Sequence, residues 1–161
     1  MAQFTDNQGR VWAVEINVNT LRRLRSMLDV QLERAGDSKE DSERIIGQIF
    51  TDPIFLCDVL FVVCMDAAER GGVTDEDFGR AMAGDAIANA RKALIEALVN
   101  FSHSADRREV IREGARLMEE AEAAYLKSMR ENITNPKTRA KVVDRMYQLG
   151  SVFSESLEAS E

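Results

Sequence analysis

The sequence predicts a mainly α fold: a helical bundle with an N-terminal β-hairpin and a C-terminal helical hairpin. Three observations carry that prediction. Of 161 residues, 45% are hydrophobic and 30% charged, which is enough apolar chain to bury a core. There are only two prolines and nine glycines, too few for a turn-rich all-β chain. Apolar residues then recur at spacings of three and four along most of the length, among the helix formers Ala, Leu, Glu and Arg.

The first element is the exception to helical spacing. Asn7, Gln8 and Gly9 are turn formers, and beyond them Val11, Ala13, Glu15 and Asn17 alternate with Trp12, Val14, Ile16 and Val18. That period of two predicts a β-hairpin with one buried face. A lone hairpin is marginal in water, so this face must pack on the helix that follows or on a matching sheet from another copy. Asn19 is the expected N-cap of an amphipathic helix with Leu21, Leu24, Leu28 and Leu32 on one side. A polar loop over residues 36 to 43 ends at Ser42, the expected cap of a short helix through Ile45, Ile46, Ile49 and Phe50.

Asp52 before Pro53 is a helix start: the carboxylate accepts free N–H groups, and proline's missing donor costs nothing at the first helical position. Gly71 and Gly72 end this helix, whose first turns are apolar nearly all round, as suits the centre of a bundle. Thr74 with Asp77 resembles a capping box, and Asp75 and Glu76 favour the positive end of the dipole. A break at Gly84 and Asp85 precedes a stripe of Ile87, Ala90, Leu94, Leu98 and Phe101 that ends near His103. From Asp106 to about Glu131 a long helix carries Val110, Ile111, Leu117, Met118, Ala121, Tyr125 and Met129, with Arg116 and Glu120 spaced to pair. Asn135 and Pro136 open the last helix, on which Met146, Leu149, Phe153 and Leu157 follow Val142 in a heptad-like row. These four form the expected partner-binding or oligomer seam. The expected division is a unit over residues 1 to 104 and a C-terminal extension over 105 to 161.

Twenty-one basic against 28 acidic residues give a net charge of −7, placed unevenly: +1 over residues 1 to 36, −8 over 37 to 106 and zero beyond. An acidic middle without a basic face argues against nucleic acid as the ligand. The basic run Arg22, Arg23 and Arg25 reads as a solvated helix face. The start MAQFTDNQGR has neither the basic region nor the apolar region of an export signal, so the protein is expected to stay in the cytoplasm. The apolar run from Ile54 to Met65 is interrupted by Asp58 and falls short of the ~20 residues that span a bilayer, so no membrane partner is expected.

No catalytic or cofactor pattern emerges. His103 beside Ser102 and Ser104 suits a helix end. Cys57 and Cys64 lie on one helix about 10 Å apart by helix rise, beyond disulfide reach, and read as free buried thiols. Neither zinc nor calcium spacing is present, since Asp75, Glu76 and Asp77 lack a calcium loop's alternation. Asp58 and Asp66 are carboxylates on an otherwise apolar helix, where burial can tune acid–base chemistry; solvent exposure or an arginine partner is the competing expectation.

The segments GRVWAVEINVNTLRRLRSMLDV, DPIFLCDVLFVVC and VTDEDFGRAMAGDAIANARKALIEAL occur in the order hairpin, Leu-rich helix, apolar helix and acid-capped helix. This order resembles the tail assembly chaperones of long-tailed bacteriophages and related gene transfer agents, over about residues 4 to 101. The resemblance implies a non-enzymatic protein without cofactor, made in the host bacterial cytoplasm. Its expected partners are the tape measure protein, which it keeps soluble, the tail tube protein and further copies of itself. Apolar grooves would receive the partner's helices while the net charge keeps the complex in solution. A structural head-to-tail connector or minor tail protein retained in the virion is the alternative, and an acid–base enzyme built on Asp58 is a third.

Overall fold

The computed structural model describes the backbone of residues 1 to 158 and the side chains of residues 1 to 148; Leu149, Phe153 and Leu157 therefore lie outside the described side chains. Seven α-helices follow a two-stranded antiparallel hairpin among the described residues, a mainly α fold as expected. One compact unit is Met1–Met118, and a second begins at Glu119. The first thus takes in the opening half of the helix that starts at Ala105.

Strands β1 (Gln3–Thr5) and β2 (Val11–Ala13) pair with Phe4 opposite Trp12. The turn between them is organised by the buried Asp6 carboxylate. It accepts from the backbone N–H of Gln8 (2.9 Å) and Arg10 (3.0 Å), from Arg10 Nε (2.7 Å) and from Trp12 Nε1 (2.8 Å). Burial pushes this carboxyl up, and the Trp12 and Arg10 hydrogen bonds outweigh it, holding Asp6 below the ordinary carboxylate value.

The hairpin face of Phe4, Trp12, Val14 and Ile16 is covered from within the chain. It packs on helices α3 (Pro53–Gly71) and α5 (Asp85–Phe101), and on Phe78 of α4 (Asp75–Ala81), rather than on the helix that follows it or a sheet from another copy. Phe78 is the aromatic centre, with edge contacts to Trp12 at 5.0 Å, Phe61 at 5.6 Å and Phe4 at 6.4 Å between centroids. The turn also grips the end of α4, since Asn7 donates to the carbonyls of Ala81 and Ala83.

Helix α1 (Val18–Leu28) begins two residues earlier than expected. Its cap is Asn17, whose side chain accepts from the N–H of Asn19 and Thr20 while Thr20 Oγ1 accepts from Asn17 N–H, a reciprocal pair that Asn19 could not form. Val18 is therefore a first-turn residue, 59% exposed, and does not continue the buried strand face. The helix stops at Leu28 because Asp29 turns left-handed (φ 55°), so Leu32 enters the core from a separate 3₁₀ turn (Leu32–Arg34).

Helix α2 (Lys39–Thr51) is capped by Ser38, not Ser42. Ser38 Oγ accepts from Asp41 N–H at 3.1 Å, while Ser42 sits inside the helix, donating to Ser38 O (2.7 Å) and accepting from Gly36 N–H (3.0 Å). The chain then bends by 98° between α2 and α3. Asp52 makes the corner by accepting from the N–H of Ile54 and Phe55, with Pro53 opening α3 and Gly72 (φ 64°) closing it, all as expected. Leu56, Val59, Leu60, Val62 and Val63 are buried, and α1, α2, α4, α5 and β2 pack on α3, which makes it the central helix. Arg91 of α5 lies 4.3 Å over the Phe50 ring and donates to the Phe50 carbonyl, tying α5 to the end of α2.

Helix α6 (Ala105–Thr134) starts against the compact unit, burying Ile111 and Ala115. Asn135 alone separates it from α7 (Pro136–Glu158), and its side chain accepts from Lys137 N–H. Among the described residues the two helices do not pack side by side as the expected C-terminal hairpin, because one linking residue is too short to turn the chain back. Every described side chain from residue 119 to 148 is exposed.

Candidate functional site

Within the first unit, α2 and the first half of α6 flank an open groove of about 570 Å³. Each helix contributes one stripe: Lys39, Glu43, Ile46 and Gly47 from α2, and Val110, Gly114, Leu117 and Met118 from α6. Both stripes have the spacing i, i+4, i+7, i+8, so each is one helix face. The lining is apolar in the middle, with Asp37, Lys39, Glu43 and Glu113 around it.

Glycine sets how closely the walls approach. A Cβ on Gly114 would stand 2.9 Å from Ile46 Cδ1. At the end of the groove Gly36 turns left-handed (φ 92°), and a Cβ there would stand 3.3 Å from the Arg107 carbonyl. Gly47 differs, because its Cβ position has nothing within 4 Å and opens into free space.

The polar shell fixes this corner. Arg107 Nη2 bonds Asp37 Oδ1 at 2.5 Å, anchoring the loop before α2 to α6. Asp41 receives Arg34 at 2.8 Å and Arg44 at 3.3 Å. Burial pushes Asp41 up, and hydrogen bonds from Arg44 and Ser38 with the Arg34 charge outweigh it, so its carboxyl stays below the usual range. Hydrogen bonds from Arg116 hold Glu113 low as well. The groove therefore combines an ionised rim with an apolar bed, where Val110 is 44% and Leu117 53% exposed. Such a surface binds an amphipathic helix by burying its apolar ridge.

Of the expected seam, Met146 is 68% exposed. The side chains of Leu149, Phe153 and Leu157 lie outside the described residues. His103 is exposed in the link after α5, and the cation that reaches the α5 C-cap is Arg108, whose Nη1 donates to Ser102 O at 2.8 Å. Asp66 is exposed and pairs with Arg23 at 2.7 Å, and Arg25 pairs with Glu33. Asp58 is exposed beside Arg44 and Phe55 in a recess of about 320 Å³; burial, then Asp75 and Asp52, push its carboxyl up. Both cysteines are free thiols, Cys64 buried and Cys57 half-buried. Among the described residues no three His, Cys, Asp or Glu side chains converge as metal ligands, and no single helix is long and apolar enough to cross a membrane.

The groove itself is absent from the sequence-based expectations, because its walls are more than sixty residues apart. The signal in the sequence is Gly114, a glycine inside a helical pattern, where it destabilises unless packing requires it. Comparison of the chain with family models, with curated proteins and with solved structures finds no match.

Proposed function

We propose that this protein is an assembly chaperone of the phage-tail type, which binds an apolar helix of the tape measure protein and keeps it soluble until the tail tube forms around it. The observation that carries the reading is the open α2–α6 groove, with an apolar bed between charged rims. Its volume of about 570 Å³ lies in the range of roughly 300–1,000 Å³ typical of ligand pockets, and its length along two helix faces suits a helical ridge. Met118 adds a thioether that adapts to uneven partner surfaces. A net charge of −7 opposes aggregation of the loaded complex. The order of elements that resembles tail assembly chaperones supplies the client's identity.

Co-expression with a tape measure protein, followed by size-exclusion chromatography, tests the proposal. The expected result is a soluble complex in one peak. A tape measure protein that stays insoluble while this protein elutes alone would overturn it. Mass spectrometry of purified particles separates the chaperone from a structural connector, which would remain in the virion.

A further inference from the structure

We propose that the two C-terminal helices cover each other between two copies of this chain: the part of α6 beyond Met118 lies antiparallel on α7 of a second copy, and reciprocally, about a two-fold axis near Pro136. The inference does not rest on the client reading, because it is argued from residues 119 to 148, none of which lines the groove.

Both helices carry apolar rows that are exposed among the described residues. On α6, Leu126, Met129 and Ile133 are 57%, 41% and 63% exposed; on α7, Val142, Val143 and Met146 are 53%, 51% and 68% exposed. Apolar residues exposed at helical spacing along one row are the raw material of an interaction site. Within one chain the two rows have no way to meet by folding back, since antiparallel helix pairs need a link of about 2–5 residues and only Asn135 lies between α6 and α7. A second copy supplies the cover that the link denies.

Charge selects which molecule and which direction. Residues 119 to 134 carry four acids (Glu119, Glu120, Glu122, Glu131) against two bases, whereas residues 136 to 148 carry four bases (Lys137, Arg139, Lys141, Arg145) against one acid. A parallel dimer in register would set the basic segment on its own copy. The antiparallel dimer sets basic on acidic, twice. The segments also match in length, about 24 Å and 20 Å by helix rise. Leu126, Met129 and Ile133 then interlock with Met146, Val143 and Arg139 of the second copy, the arginine laying its aliphatic stem on Ile133 with its head in water.

Light scattering on the full chain reads the assembly directly. The expected mass is twice the 18.0 kDa of one chain, and Met129→Asp combined with Val143→Asp should lose the dimer while Trp12 fluorescence reports an intact first unit. Direction is read by oxidising cysteine variants. A mixture of Leu126→Cys and Met146→Cys copies should form a covalent dimer, and Met146→Cys alone should not, because its two thiols would sit about 30 Å apart. A monomeric wild type, a dimer indifferent to both aspartates, or a covalent dimer from Met146→Cys alone would overturn the proposal.

Discussion

Replacing Gly47 with leucine should separate binding from folding. Gly47 lies mid-helix in α2, and its Cβ position points into the groove with no atom within 4 Å. A good helix former in place of a helical glycine gains about 0.8–1 kcal/mol, and for a chain of this size each kcal/mol raises the melting point by about 2–4 °C. The same side chain fills the bed that a client ridge would occupy. Loss of one well-packed apolar contact, about 1.4 kcal/mol or more, weakens binding at least tenfold. Gly114→Leu is the contrasting variant, because its Cβ would meet Ile46 Cδ1 at 2.9 Å and the walls would have to part. Thermal melting by circular dichroism, with client co-purification from the same preparations, reads both quantities. A Gly47→Leu protein that melts lower than wild type, or that retains full client binding, would refute the reasoning.

Asp6→Ala should cost about 2–4 kcal/mol, since it orphans the buried Trp12 Nε1 donor and two turn N–H groups; urea unfolding followed by Trp12 fluorescence measures it, and Asp6→Asn should cost less. Asp6 and Asp41 are held below their ordinary value of 3.8, so the unfolded chain binds more protons at acid pH. Their stabilisation is therefore complete above that value and is lost as pH falls through the folded values, while Asp58, pushed up, contributes with the opposite sign. Melting points should accordingly hold steady across neutral pH and drop in acid. Burial pushes the Cys57 thiol up to about 11, with Asp58 and Asp75 adding to it, and the Cys64 thiol up to about 12. At mildly alkaline pH a thiol reagent should label Cys57 slowly, and Cys64 only once the protein unfolds.

Where one residue pair fully specifies a local structure, the sequence was sufficient. Asp52 with Pro53, Thr74 with Asp77, and Gly72 each act through their own neighbours' N–H and C=O groups, and each stands where expected. The structure departs from expectation where two residues of one chemistry lie close together. Either asparagine has a side-chain oxygen able to accept N–H groups, but only Asn17 has Thr20 placed to return the bond. Ser38 and Ser42 differ in a similar way: Ser38 Oγ accepts from Asp41 N–H and caps the helix, while Ser42 Oγ, one turn inside, accepts from the loop's Gly36 N–H. Leu32 kept the helical period of Leu24 and Leu28 although the helix ends between them and it, because Asp29 in a left-handed turn leaves no trace in hydrophobic spacing. The groove was hidden for a different reason. Its shape depends on a tertiary approach between α2 and α6 that glycine permits, and periodicity along one helix says nothing about its distance from another.

A methyl-resolved NMR titration with an apolar helical segment of a tape measure protein tests the central claim most directly. Resonances of Ile46, Val110, Leu117 and Met118 should shift together and saturate, while core methyls such as Leu60 and Leu94 stay in place. Saturating shifts confined to other surfaces, or none at client concentrations that bind in co-expression, would contradict the assignment of the groove as the client site.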